Sequence, residues 1–133
     1  MSEYILDTMA LVRLLEDRLP KRANAVVKGA EKGENLLLVP EIAMGEFTYV
    51  ALRGRLRTED PLTTIREVLT HMRSSRFLSL VQMDFSCWEA FLDVDLAELH
   101  DRMICSIAIV RNVPVVTDDK DITLWGGVET VWS

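Results

Sequence analysis

A chain of 133 residues, 49% of them apolar, has room for one domain with a buried core and little room for a second. Acidic residues outnumber basic ones by 21 to 15, a net charge of −6 that excludes an overall basic footprint for nucleic acid. A polyanionic partner would have to be held by local basic patches or through bound cations.

The elements follow in chain order. "YIL" (4–6) is a short β-like run. It leads through Asp7 into "TMALVRLLEDR" (8–18), where Ala10, Leu11, Leu14 and Leu15 recur at helical spacing. Asp7 suits the N-cap of this helix. Capping and cation binding are compatible, because a carboxylate has two oxygens. Pro20 opens a second helix, with Ala23, Val26, Val27 and Ala30 on one stripe and Gly33 as its stop. "NLLLV" (35–39) is a continuous apolar run, as a buried parallel strand requires.

Pro40 begins the helix "PEIAMGEFTYVALRG", which Gly54 closes. Glu41 suits the helix dipole. Glu46 instead interrupts an apolar stripe, with Ile42, Tyr49 and Val50 as its neighbours. The most basic stretch, "RGRLR", carries Arg53, Arg55 and Arg57. It reads equally as a solvated connection complementing the helix C-terminus and as a phosphate-gripping patch. Lys21, Arg22 and Lys28 make a weaker second patch.

A further helix spans 61–75, and "FLSLVQM" (77–83) is the third strand. Asp84 caps "FSCWEAFLDV", whose Trp88, Phe91 and Leu92 read as core. Asp95 caps the next helix, "LAELHDRMICSIAIVRN", with Glu98 completing a capping-box-like pair. Asp101 leads an apolar stripe of Ile104, Cys105 and Ala108. A carboxylate there is awkward to bury unless something positive meets it. His100 points elsewhere on that helix and reads as solvated; His71 has no motif around it. "PVVT" is the fourth strand, ending in Asp118, Asp119 and Asp121 with Lys120 between them. "ETVWS" closes the chain as a short edge strand.

Cys87 and Cys105 lie in apolar helical stretches without CxxC or zinc spacing, and so read as buried free thiols of a reducing compartment. No basic segment precedes an apolar run at the N-terminus, and no apolar run reaches membrane-spanning length. The expectation is a soluble cytoplasmic protein.

Alternating strands and helices predict an α/β fold, with a parallel sheet of about four to five strands and helices on both faces, as a single domain over residues 1–133. In such sheets, ligands bind beyond the carboxyl ends of the strands. If the first and fourth strands are neighbours, Asp7 and the acids after "PVVT" share one crevice. Converging carboxylates repel and their pKa values rise unless a cation joins them. An all-oxygen site suits Mg²⁺ or Mn²⁺, which activates water and stabilises charge on a phosphoryl oxygen. No Ser–His or Cys–His nucleophile pair and no glycine-rich phosphate loop is evident.

Four motifs in this order, "YILDTMAL", "VPEIAMGEFTYV", "HDRMICSIAIV" and "VVTDDKDI", resemble the PIN-domain family over nearly the whole chain, particularly the VapC-type ribonuclease toxins of toxin–antitoxin pairs. The resemblance implies a PIN-like three-layer fold and a Mg²⁺- or Mn²⁺-dependent endoribonuclease. Asp7, Asp101 and Asp119 would hold the metal, and Glu46 would position or deprotonate the attacking water. Asp119 fits the family's T-x-D pattern counted from Thr117, leaving Asp118 facing away. Thr117 and Asp121 would be auxiliary. The resemblance also implies an RNA substrate, a small antitoxin that blocks the site, and a homodimer. Ile122 stands where the family often carries an aromatic.

Three alternatives remain. Haloacid-dehalogenase-like phosphatases need a second Asp where Met9 stands. A receiver-like Mg²⁺-binding regulatory domain wants an early acid pair and a Lys after a late strand; Glu3 is too far from the strand end, and Lys120 follows the acids. A non-cleaving PIN-like module binding RNA or protein ranks below the nuclease, because all four acids are present.

Overall fold

Parallel strands need a crossover between them, and the helices of this sequence supply it. The computed structural model describes residues 1–133. Its elements are β1 (Ser2–Leu6), α1 (Thr8–Leu15), α2 (Lys21–Glu31), β2 (Asn35–Pro40), α3 (Glu41–Leu52), α4 (Pro61–Ser74), β3 (Leu78–Val81), α5 (Phe85–Phe91), α6 (Leu99–Arg111), β4 (Val115–Val116), α7 (Lys120–Trp125) and β5 (Thr130–Val131). The sheet has five strands in the order β3-β2-β1-β4-β5, every pair parallel. This is the expected α/β architecture, an all-parallel sheet flanked by helices. Receiver domains set the third strand beside the first. Here the fourth takes that place, so the receiver alternative falls. No helix is long and apolar enough to cross a membrane.

The central strands are buried, as their continuous apolar runs require. Ile5 lies opposite Leu38 and Val115, and Leu6 opposite Val116, all of them within the core. α3 turns Ala43, Met44, Phe47 and Ala51 inward and packs against α1, α4 and α6. Its position brings Glu46, on the same helix, close to the starts of α1 and α6. The chain runs from β1 outward through β2 to β3 on one side, and through β4 to β5 on the other. β1 and β4 therefore flank the point where strand order reverses, and a crevice opens beyond their carboxyl ends.

Several boundaries differ from the sequence expectation. α1 stops at Leu15, because Asp17 adopts a left-handed backbone with φ 54. β3 keeps only Leu78–Val81 of the expected run. Glu98, not Asp95, caps α6: its side chain accepts from the Asp101 N–H at 2.7 Å. Leu96 is drawn with Val94 into a small cluster with Cys105 and Ile122, which keeps the chain out of the helix until residue 98. α7 is a further departure: the acid burst after β4 caps a helix, through Asp119. Nor do Trp88 and Leu92 join the core. Trp88 is 46% and Leu92 76% exposed, since short α5 packs chiefly on α6 through one face. Phe91 is half-buried beneath the Arg102 guanidinium, 4.7 Å from its ring centre.

Candidate active site

Asp7 leaves β1 and caps α1. Its Oδ1 accepts from the Ala10 N–H at 2.8 Å. Its Oδ2 accepts from the hydroxyl of Thr117, 110 residues away at the end of β4. The Thr117 oxygen in turn accepts from the Asp119 N–H at 3.0 Å, and Asp119 Oδ1 caps α7 by accepting from the Ile122 N–H at 2.9 Å. One hydroxyl therefore ties the ends of β1 and β4 together and sets two carboxylates beside each other. Asp7 is only 7% exposed. Burial pushes its carboxyl up to about 6; bonds from Thr117 and Ala10 oppose this, and the charges of Asp118 and Asp119 add to it.

Asp101 stands in the first turn of α6, half-buried. It is the one acid of the four whose carboxylate accepts no hydrogen bond within the protein. Burial pushes it up to about 7, reinforced by the charges of Asp119, Glu98, Asp7 and Glu46. The charges of the other three candidate acids thus all reach Asp101. Cys105, one turn along α6 and fully buried, is pushed up to about 12 by burial and then by Asp101, Asp119 and Asp7. Both cysteines are free and buried, as expected.

Glu46 approaches from α3. Its Oε1 accepts from the Thr8 hydroxyl at 2.7 Å, and its Oε2 lies 2.9 Å from His100 Nδ1. His100 is therefore not a solvated bystander. Its Nδ1 also lies 3.1 Å from Glu98 Oε1. The sequence reading gives Thr8 no role and takes His100 as solvated. The only signal was adjacency, since each sits beside a candidate acid.

The remaining residues lie around this centre. Asp121 is exposed and shares an open pocket with Asp101, Glu98 and Trp125. Asp118 is exposed on the other flank, in a groove of about 430 Å³ that also takes in Arg22, Lys120, Thr123 and Trp132. Its charge nevertheless reaches Asp7. Arg53, Arg55 and Arg57 are exposed beyond the C-terminus of α3, starting about 10 Å along the helix from Glu46. Arg53 bonds the Tyr49 hydroxyl at 2.8 Å, and none of the three pairs with a site carboxylate.

As the side chains stand, no three His, Cys, Asp or Glu groups close around one point as a ready-made ion cage. The donor set still fits a hard divalent ion. It is all oxygen, no Lys or Arg pairs with it, and Asp101 has its full acceptor capacity free. Mg²⁺ keeps much of its water and takes one or two carboxylates directly rather than a complete protein cage. Asp7 and Asp119 retain lone pairs beyond those used in capping.

The PIN domain family model matches residues 4–124. Comparison with curated proteins finds no relative. Among solved structures, the chain is similar to VapBC2 from Rickettsia felis, solved with a DNA fragment from the promoter, at a TM-score of 0.73 and 15% identity over 96% of both chains. DNA-bound VapBC from Salmonella typhimurium matches at 0.73 and 16% identity, over 98% of this chain and 97% of that one. VapC20 from Mycobacterium tuberculosis, described as a sarcin–ricin loop cleaving toxin, matches at 0.62 and 13% identity, over 96% and 98%.

Proposed function

Because the chain belongs to the PIN domain family, we propose that residues 1–133 form a single PIN-like domain that hydrolyses RNA phosphodiester bonds with Mg²⁺ or Mn²⁺, as the toxin of a toxin–antitoxin pair. One observation carries the reading. Four carboxylates, from the end of β1, from α3, from α6 and from the end of β4, gather beyond the carboxyl end of the sheet with no Lys or Arg paired to them. Such a cluster is costly without a cation.

Asp7, Asp101 and Asp119 would hold the ion. The chemistry an ion supplies there is activation of water and neutralisation of charge on a phosphoryl oxygen. Glu46, held by Thr8, orients the attacking water and takes its proton. Thr117 keeps the Asp7 carboxylate in place, and Asp121 assists from the Asp101 flank. Arg22 and Lys120 meet RNA phosphates in the groove beside Asp118, and Arg53, Arg55 and Arg57 meet them farther out.

The Rickettsia and Salmonella structures are VapBC complexes, which supports a small antitoxin as partner. The sarcin–ricin loop cleavage named for VapC20 supports RNA as substrate. The reading includes a cytoplasmic setting and a homodimer. In favour of the latter, Phe85 and Leu92, at the two ends of α5, are 89% and 76% exposed, apolar surface of the kind subunit contacts cover.

The test is cleavage of a labelled structured RNA pool by the wild-type chain and by Asp7→Asn, each with Mg²⁺, Mn²⁺ or EDTA. Cleavage that requires metal and vanishes in the variant is expected. If calorimetric titration of Mn²⁺ gives no heat with the wild type, the carboxylate site is wrong. Binding of metal and RNA without cleavage would favour the non-cleaving module.

A further inference from the structure

Nothing within α3 fixes the Glu46 carboxylate. Its two oxygens are held from two other elements, by the Thr8 hydroxyl at 2.7 Å and by His100 Nδ1 at 2.9 Å. His100 Nδ1 lies 3.1 Å from Glu98 Oε1, and the other Glu98 oxygen accepts from the Asp101 N–H at 2.7 Å. Ionised carboxylates only accept hydrogen bonds. With Glu46 on one side and Glu98 on the other, Nδ1 must carry a proton. Hydrogen bonds tie Thr8 to Glu46 and the Asp101 amide to Glu98, and His100 Nδ1 sits between the two carboxylates, in ion-pair reach of both. These contacts join the start of α1, the middle of α3 and the start of α6, the elements that carry or adjoin Asp7, Glu46 and Asp101.

We propose that His100, backed by Glu98, is a positioning residue that fixes the plane of the Glu46 carboxylate against the other acids. It acts through Glu46 and leaves ion binding to the aspartates. This rests on the nuclease reading above. Releasing one oxygen of Glu46 lets the side chain swing on its own rotamers. A reacting group misplaced by an ångström costs on the order of 100-fold, so a partial release should cost roughly 10- to 100-fold in kcat.

The test compares His100→Ala, His100→Asn and His100→Gln. The amide nitrogen of Asn falls near the place of Nδ1, whereas that of Gln falls near Nε2. Ala and Gln should lose roughly 10- to 100-fold in kcat, with KM for RNA and the Mn²⁺ titration unchanged, and Asn should restore most of the loss. A merely structural role would lower all three together, along with stability. Long-range proton–nitrogen NMR of the wild-type ring gives a readout independent of cleavage. A protonated Nδ1 whose shift moves in Glu46→Gln is expected. A bare Nδ1, or His100→Ala cleaving as fast as wild type, overturns the inference. A wild-type chain silent on RNA with every metal overturns the nuclease reading instead, while the ring spectrum still decides whether His100 holds Glu46.

Discussion

Asp7→Asn should stabilise the metal-free protein, and the size of the gain follows from the geometry. The Asp7 carboxyl is raised by burial from its ordinary 3.8 to about 6. Between those values the native chain binds more protons than the unfolded one, so stability falls as pH rises through that window and the loss is complete above it. At 1.36 kcal/mol per pKa unit, ionising Asp7 costs the native state about 3 kcal/mol at pH 8. Asn carries no charge. It keeps an oxygen for the Ala10 N–H and caps a helix as well as Asp does. The raised value is already net of the bonds from Thr117 and Ala10 to the charged form. The net expectation is a gain of up to about 3 kcal/mol at pH 8 in EDTA, nearly gone by about pH 4. Urea unfolding of both proteins across that range measures it. A variant no more stable than wild type at pH 8, or a gain that does not shrink toward pH 4, would refute the reasoning. Added Mn²⁺ should reverse the order, because ligand binding stabilises only the protein that binds it.

Other perturbations bear on the same site. Thr117→Val removes the donor to Asp7 and the acceptor for the Asp119 N–H at nearly constant volume, and should cost about 1–3 kcal/mol in urea unfolding; an unchanged midpoint would mean the link between β1 and β4 carries no weight. Asp101→Asn should abolish both the Mn²⁺ heat and cleavage while keeping the circular dichroism spectrum. Because its carboxyl is raised to about 7, it should also lift Tm in EDTA at pH 8 but not at pH 4. Cys105, buried and pushed up to about 12, should stay unreactive to a thiol-specific reagent at pH 8 until urea is added, and prompt labelling of the native protein would show the site to be open beneath.

The parts of this fold that were legible are those where burial leaves a one-dimensional trace. "NLLLV" reads as a central strand because both its faces are covered. The acids after "YIL" and "PVVT" mark strand ends because a charge cannot continue such a run. What could not be read is which element lies across from which. His100 and Asp101 are neighbours on one helix, and only the packing of α3 against α6 decides that His100 meets Glu46. The sequence reads Asp95 as the cap of α6 and Glu98 as its capping-box partner, whereas Glu98 is the cap. The contacts of Val94 and Leu96 with Cys105 and Ile122, which delay the helix, could not be read. α7 left a faint trace, because only Ile122 of its six residues is buried.

The capping and functional readings of the acids, which look like rivals in the sequence, are both true in the structure. Asp7 caps α1, Asp119 caps α7, and Glu98 caps α6 two residues before His100 and three before Asp101. This follows from the topology. α1 and α7 begin just past the ends of β1 and β4, so their N-termini face the crevice. The positive ends of the helix dipoles offset part of the repulsion among the acids, and each cap bond fixes a carboxylate to backbone rather than leaving it on a mobile loop. The offset is incomplete, as the raised Asp7 and Asp101 carboxyls show. Asn at a capping position keeps the backbone bond and removes the charge, whereas Ala removes both. At Asp7 and Asp119, therefore, Asn and Ala variants should differ in stability and agree in losing the cation, a pattern that neither a purely structural cap nor a purely catalytic acid would give.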